Sequence, residues 1–414
     1  MADVSLDQGG IGPYALRVLT SLLTDFEQGW EFVLVCATGV PERLKPLIAS
    51  LTGAVEVRII PFAAEPGTPA EEHWGYLKRW LDQLDLDLLH FPTQTPLHPD
   101  LQVPYSLTVH EVRELPHLNL EIPFIVTMHD VQELHFPENF TPQQRAIRSV
   151  QYWKTLERAR KVVVSFNHIK DDLTKYFGLP EEKIHVCPIP FRAISLQQPT
   201  SEAIRSYLEK YAGWNPFLLY PSHTWRHKNH LQLLRALQQV RQRTGGNLRL
   251  ICTGGTNHHY HAQVLAQVAA LGLNKAVLFT GIVAEDELQW LYHQAALVTI
   301  PTKYEAGSFP LFEAMIEGAP VICSNVTSLP ATIGDQRFVF DPQDVAALSD
   351  LIIRVISDEP LRQANFANSA EQANRLFGVN AAAFFYETYR SALNLPTSKE
   401  TSDEPEPPGR YRVD

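Results

Sequence analysis

The chain has 414 residues, 45% apolar and 20% charged, a globular balance that excludes disordered, collagen-like and fibrous classes and, at roughly 150 residues per domain, suggests two or three domains. Lys and Arg number 35 against 46 Asp and Glu, a formal net charge of −11, so the basic footprint of a nucleic-acid binder is absent. The four cysteines (Cys36, Cys187, Cys252, Cys323) lie in or beside apolar runs without CxxC spacing, which reads as buried, reduced thiols in a cytosolic protein.

From the N-terminus, QGGIGPY (8–14) is a glycine-rich turn before a helical pattern over 13–24, with only Ala2–Leu6 left for a preceding strand. Such a turn lets backbone approach a phosphate closely, and a plain turn is the equal alternative. The runs FVLVCA (32–37), VEVRIIPF (55–62), LLHF (88–91), FIVTMHD (124–130), KVVVSF (161–166) and IHVCPI (184–189) predict strands, with helices over 71–84, 142–160 and 168–177. Thr141 before Pro142 reads as an N-cap with proline at the first helical position. Segment 92–121 is long for a connection and reads as a functional surface loop or an insertion. His129 and Asp130 fall at the carboxyl end of a strand, where ligands sit in open α/β sheets; an isolated histidine there is more often structural. No stretch approaches the ~18–20 apolar residues that cross a bilayer, and no signal peptide is legible. The helix over 142–161 carries Arg145, Arg148, Lys154, Arg158, Arg160 and Lys161 against Glu157. A basic face attracts anionic lipid, but the negative whole chain favours a merely solvated face.

The pattern restarts after a connection over 191–213. FLLYPS (217–222), LRLICTGG (248–255), AVLFTG (276–281), ALVTIP (296–301), PVICS (320–324) and FVFD (338–341) predict strands, with helices near 229–243, 258–271, 285–294, 310–317 and 344–357. Continuous apolar strands alternating with amphipathic helices imply parallel sheets covered on both faces, hence two doubly wound α/β domains. The resulting division is 1–193, a connection at 194–213, a second domain at 214–377, a helix over 378–395 packing back on the first, and a disordered tail over 396–414.

Two segments of the second series carry chemistry. In YEAGSFPLFEAMIEGAPVI (304–322) a loop with Glu305, Ala306, Gly307 and Ser308 leads into a helix opened by Pro310, with Glu313 in its first turn. A glycine before a helix start suits a diphosphate, and carboxylates, which only accept hydrogen bonds, suit hydroxyl-rich partners such as a sugar and a ribose. In YPSHTWRHKNHLQLL (220–234), Lys228 can reach a phosphate as a point charge and Arg226 can add a planar fork; a solvated basic loop is the plain alternative. His258, His259 and His261 read as an exposed helix start rather than a metal site.

Taken together and in this order, these segments resemble the GT-B glycosyltransferases, of the retaining family 4 type, over about residues 5–395. The resemblance is strongest in YEAGSFPLFEAMIEGAPVICSNVTSLP, similar to the family's Glu-x7-Glu signature and the G-x-P-V-I run behind it. FTGIVAEDELQWLYHQAALVTIP (279–301), VVVSFNHIKDDLTKYFGLPEEKIHVCPIP (162–190) and HDVQELHFPE (129–138) resemble other family segments. Where many members carry Gly-Arg five residues before the lysine, this chain has Ser222-His223, and Arg226 is the candidate replacement cation. The loop reads Glu-Ala-Gly-Ser where Glu-Gly-Phe-Gly is commoner.

The resemblance implies a GT-B fold, two Rossmann-like domains facing a cleft, and transfer of a hexose from a nucleoside diphosphate donor to a hydroxyl with retention of configuration. Glu305 would contact hexose hydroxyls and Glu313 the ribose. Gly307, Ser308 and Phe309 would hold the diphosphate, with Gly9 and Gly10 near the distal phosphate. Lys228 would neutralise the leaving phosphates, His129 would sit beside the transferred sugar, and Gly281, Ile282 and Val283 would frame the base. Neither a cofactor nor a metal is expected. The implied partners are a nucleotide sugar (GDP-mannose or UDP-hexose type) and a glycan or lipid-linked acceptor, in the cytoplasm or at the inner face of a membrane. A sugar-nucleotide epimerase, a phosphorylase and a non-catalytic nucleotide-sugar binder are the alternatives.

Overall fold

The computed structural model describes residues 11–36, 44–59, 79–92, 94, 121–191, 198–256 and 258–396. It divides into two compact units, one comprising Met1–Ala193 and the return from Val379, the other Ile194–Gly378. Gly9, Gly10, most of 92–121 and the tail beyond 396 lie outside the described residues.

The first unit runs α1 (Ile11–Thr24), β1 (Phe32–Cys36), α2 (Lys45–Ser50), β2 (Val55–Ile59), β3 (Leu89–Phe91), β4 (Phe124–Thr127), α3 (Gln132–His135), α4 (Pro142–Arg158), β5 (Lys161–Val164), α5 (Asn167–Phe177) and β6 (Ile184–Val186). Strands β3-β4-β5-β6 form a parallel sheet, and β1 pairs with β2 in a separate parallel ladder. Every residue of β4 is buried, as are Val162, Val163 and Val164 of β5, which is why these strands read as unbroken apolar runs. Thr141 and Gln144 form a reciprocal capping box at the head of α4, at 3.2 and 2.8 Å, with Pro142 first in the helix. Leu16, Leu23, Leu34 and Leu44 form a small core under β1 and β2.

The second unit runs α6 (Ser201–Lys210), β7 (Phe217–Pro221), α7 (His230–Thr244), β8 (Arg249–Thr253), α8 (His258–Ala270), β9 (Val277–Gly281), α9 (Glu285–Gln294), β10 (Leu297–Ile300), α10 (Phe309–Ile316), β11 (Val321–Ser324), α11 (Leu329–Ile333), β12 (Val339–Phe340), α12 (Val345–Ser357) and α13 (Glu359–Phe377). Its sheet is parallel, in the order β12-β11-β10-β7-β8-β9. The chain lays down β7, β8 and β9 in one direction, then returns to place β10 on the other side of β7. The helices flanking β7 and β10 must diverge there, so a crevice opens at the carboxyl ends of those two strands.

Two segments differ from the sequence reading. The stretch read as a connection carries α6, which belongs to the second unit and docks on α9: Tyr207 donates to Asp286 at 2.8 Å and Lys210 to Glu287 at 2.6 Å. The 19-residue α13 follows α12 directly. The last helix, α14 (Ala381–Leu393), belongs to the first unit. There the Tyr386 hydroxyl donates to Leu22 O at 3.1 Å and accepts from Glu27 N at 3.2 Å, and Tyr389 meets His90 at 2.9 Å. No helix among the described residues is long and apolar enough to cross a membrane.

Candidate functional site

The switch point between β7 and β10 gathers the charged residues of the second unit. Past β7 the chain must turn sharply, and three sets of bonds fix how. Tyr220, fully buried in β7, donates to Lys228 O at 2.7 Å and draws the loop back over its own strand. On the β8 side, Ser222 N donates to Thr253 O and Thr224 N to Gly255 O, both at 3.0 Å. These loops lie so close that a Cβ on Gly254 (φ +100) would come 2.9 Å from the Ser222 carbonyl carbon. On the β10 side, His227 O accepts from Lys303 N at 2.7 Å and from the Thr302 hydroxyl at 3.1 Å.

Asn229 joins the last piece. Arg226–Lys228 is one 3-10 turn, ended by Asn229 at φ 63, a left-handed conformation that Asn tolerates better than most residues. The buried Asn229 amide donates to Pro301 O and Pro342 O, both at 2.9 Å, one just past β10 and the other just past β12. So held, Lys228 Nζ reaches Glu305 Oε1 at 2.6 Å, with the side chains 19% and 10% exposed. Sheltered from water, the two charges attract more strongly than at the surface, but desolvation offsets much of the gain, so the main cost would come from removing one partner and stranding the other.

The histidines around it are kept neutral. Burial lowers the His227 and His230 pKa values to about 3, with the Lys228 charge adding to the effect. Burial also lowers His223, with Lys228 adding to the effect against the opposing pull of the Gly255 backbone. Tyr220 moves the other way, raised well above the ordinary phenol value by burial and then by the Glu305 carboxylate; it stays a donor.

Ser308 caps the start of α10 by position only: its hydroxyl is buried, makes no capping bond and has no hydrogen-bond partner. A buried hydroxyl without a partner carries a desolvation cost of about 1–3 kcal/mol, and here it sits at the positive end of a helix dipole. Phe309, rather than Pro310, is the first helical residue. Glu313 is therefore the fifth, at the start of the second turn and not in the first as the spacing suggested. Its Oε2 accepts from the fully buried Tyr292 hydroxyl at 2.9 Å, so α9 fixes that carboxylate. Gly281 (φ 76) ends β9, where its carbonyl accepts from Gly254 N at 2.8 Å, and Ile282 beyond it is exposed; Val283 follows on the same loop. Arg226 is exposed, with its guanidinium 5.8 Å from the Tyr260 ring centroid on α8. The side chains of His258 and His259 fall outside the described residues, and His261 packs edge-on against Phe279 at 4.9 Å.

In the first unit, His129 follows β4 and its Nε2 bonds Pro92 O at 2.9 Å, tying the ends of β3 and β4 together; Tyr14 meets its ring edge-on at 4.8 Å. Burial lowers its pKa against the opposing pull of Pro92 O and Asp130. A hydrogen-bond chain continues from there. Arg148 donates to Glu133 (3.3 Å) and to Tyr152 (3.0 Å), Tyr152 to Gln94 (3.2 Å), and Gln94 to Asp130 O (2.6 Å). Burial raises the Glu133 pKa, and Arg148 opposes it. Of the basic residues read as one helix, Arg148 on α4 is thus spent on Glu133, while Lys161 opens β5 instead and its Nζ donates to Glu182 O at 2.8 Å.

Sequence reasoning missed Asn229, Tyr220, Tyr292 and the Arg148–Glu133 chain. Only Asn229 leaves a trace, as an Asn directly after the lysine and before a helical pattern.

Comparison with known proteins agrees with this architecture. Residues 209–373 match the family model of glycosyl transferases group 1, and residues 8–191 that of glycosyltransferase family 4. The chain is similar to the O-antigen chain mannosyltransferase B of Escherichia coli, 28% identical over 239 residues; the match covers 57% of this chain and 62% of that protein, less than two thirds of its length. Among solved structures, sucrose-phosphate synthase from Thermosynechococcus elongatus superposes with a TM-score of 0.67 at 19% identity, covering 93% of this chain and 94% of that one. Anabaena HepE, solved with UDP and glucose, gives 0.65 at 18% identity, covering 93% and 98%.

Proposed function

Because the chain belongs to the glycosyl transferases group 1, with the GT-B fold, we propose that it transfers a hexose from a nucleoside diphosphate sugar to a hydroxyl of a glycan or lipid-linked acceptor, retaining the anomeric configuration. The observation that carries this reading is the Lys228–Glu305 pair at the β7/β10 fork, beside the head of α10 with its unsatisfied Ser308 hydroxyl. A cation, a carboxylate and a helix start are the groups that a sugar diphosphate needs: charge for the phosphates, an acceptor for ring hydroxyls, and a positive dipole end.

In the reaction the bond from the anomeric carbon to the phosphate oxygen breaks and a bond to the acceptor oxygen forms on the same face. The acceptor proton passes to the departing phosphate, so no protein nucleophile is required. Charge on the diphosphate grows as the bond breaks, and Lys228 stabilises it most in the transition state, the condition for acceleration. Glu305 then orients the hexose and Glu313, held by Tyr292, the ribose. Arg226 adds charge near the phosphates, Gly307, Ser308 and Phe309 line the diphosphate, and Gly281, Ile282 and Val283 border the base. No metal or cofactor enters this scheme.

The similarity of this chain to a mannosyltransferase and to a protein solved with UDP and glucose supports a nucleotide-sugar donor without selecting its base. A thermal-shift panel of UDP, GDP and ADP with their common sugars makes the selection; a ligand at 100 times its Kd stabilises by about 2.7 kcal/mol. Failure of every member to shift the second unit would remove the reading. Peripheral membrane contact through the exposed Trp153 and Arg145 of α4 is an extension of it. Co-sedimentation with anionic but not neutral vesicles is the expected result, and absence from both pellets would retire that extension.

A further inference from the structure

His223 lies in the turn that leaves β7, one residue past Ser222, and its surroundings fix its chemistry closely. Gly255 N donates to His223 Nδ1 at 2.8 Å. A backbone amide can only donate, so Nδ1 must carry its lone pair and the single ring proton must sit on Nε2. The arrangement is built by both loops. Thr224 N bonds Gly255 O at 3.0 Å, and a Cβ on Gly255 would stand 2.6 Å from Nδ1, so only glycine lets the ring lie against that amide. With Nδ1 turned to the β8 loop, the Nε2 edge faces away from it, and no partner for Nε2 exists among the described residues. The ring is only partly buried, so that edge is open. It also lies within reach of the Lys228 charge, and Lys228 in turn touches Glu305.

We propose that His223 is a donor-binding residue, a neutral imidazole whose Nε2–H hydrogen-bonds a phosphate oxygen of the nucleoside diphosphate next to Lys228. This rests on the reading of the β7/β10 fork as the donor site. It divides the work at the leaving group: Lys228 supplies the full charge, and His223 supplies a directed hydrogen bond whose tautomer is set before the ligand arrives. A neutral donor fixed in advance needs no reorganisation as the phosphate gains charge.

The test separates the two ends of the ring. In His223→Gln the side-chain amide reaches the position of Nε2 and keeps the outward donor. In His223→Asn the shorter side chain keeps an acceptor for Gly255 N and loses the outward reach. Calorimetric titration of the full chain with UDP, GDP, ADP, CDP and dTDP, and with the matching monophosphates, reads the outcome. The expected result is that Gln stays within about threefold of the parent for the diphosphate that binds, while Asn loses about tenfold. Monophosphate binding by Asn should change far less. Nitrogen-15 spectra of the parent should show the ring proton on Nε2. Full binding by Asn, loss in Gln equal to that in Asn, or a ring proton on Nδ1 would each overturn the role of His223 while leaving the donor site standing. A parent chain that binds none of the ten nucleotides would instead bring down the donor site itself, and this role with it.

Discussion

Lys228 and Glu305 are bonded to each other at 2.6 Å, yet the proposed chemistry needs the first on a phosphate and the second on a hexose. The pair must therefore exchange partners when the donor arrives, and the two residues should fail differently. Lys228→Ala removes the phosphate cation and strands a carboxylate that is only 8% exposed; nucleoside diphosphate affinity and transfer both fall, transfer by at least tenfold, about 1.4 kcal/mol of barrier. Glu305→Gln releases the lysine. Its diphosphate affinity is kept or raised, and transfer still falls at least tenfold because the hexose is no longer oriented. Calorimetry with the free diphosphate beside a labelled-sugar assay separates the two. Equal loss of diphosphate binding in both variants would make the pair a structural tie. His230, two residues further on, shows the opposite economy. It is 1% exposed, its ring tilted against Tyr220 at 4.9 Å between centroids, and neither ring nitrogen has a hydrogen-bond partner. Its pKa is lowered to about 3 in the folded chain against about 6.5 unfolded. The unfolded state therefore takes up the proton first as pH falls. The stabilising neutral form contributes fully above pH 6.5 and is lost progressively toward pH 3, about 2 kcal/mol at pH 5. His230→Phe keeps the ring and removes the titration, so it should be more stable than the parent at pH 5 and show a shallower loss between pH 7 and 5 in urea denaturation; a loss as steep as the parent's would show that His230 does not titrate across that range.

At the scale of elements, the site is a set of strand ends tied together by side chains from distant parts of the chain. Asn229 is the clearest tie. Asn229→Ala leaves Pro301 O and Pro342 O without their donor and puts alanine at φ 63, a loss of about 3 kcal/mol from buried acceptors and backbone together. Asn229→Gly relieves the backbone part and should recover about 1 kcal/mol, with diphosphate binding still weakened because Lys228 is no longer held. Recovery of both in the glycine variant would mean that the hydrogen bonds contribute nothing. The same contrast explains what could be read in advance. β4, β5, β7 and β10 were legible because strands buried on both faces are written almost wholly in apolar and β-branched residues, as LVTI and FIVT are. The N-cap of α4 was legible because Thr141 and Pro142 are adjacent, whereas the reciprocal bond from Thr141 N to Gln144 came only with the fold. Asn229 bonds across 72 and 113 residues, and no local pattern encodes that. The helix α13 escaped for a different reason. Its buried face is Leu361, Asn365, Ser369, Gln372 and Ala373, a helical period written mostly in polar residues. Asn365 uses that polarity to bond both Val321 N and Val321 O at 2.8 Å. The α6 helix buries none of its residues fully, so it offered no apolar stripe. Glu313 moved by one residue, out of the first turn, because the start of α10 depends on Ser308 and Phe309, whose conformation the Glu-x7-Glu spacing does not reveal.

For the whole molecule, the consequence of chain order is that the first unit is completed last. The segment up to Ala193 is joined by α14 only after all of Ile194–Gly378 has been laid down, and α14 brings Phe385, Tyr386 and Tyr389 into that unit's buried interior. Cys187 is sealed there as well, within 3.4 Å of Thr388, its thiol pushed up to about 12 by burial. Each unit has its own core, so thermal unfolding should resolve into two transitions that respond to different perturbations. The groups proposed to hold the diphosphate belong to the second unit, so the bound nucleotide should raise one transition, by about 2.7 kcal/mol at 100 times its Kd. Tyr386→Phe deletes the hydroxyl that bridges Leu22 O and Glu27 N and should lower the other by about 1–2 kcal/mol, since both backbone partners lose their bond. Differential scanning calorimetry of parent and variant, each with and without the nucleotide, gives all four values. Should Tyr386→Phe shift the nucleotide-sensitive transition, or the nucleotide raise both transitions alike, the two units unfold as one body, and α14 stabilises the donor site as well as the fold that it completes.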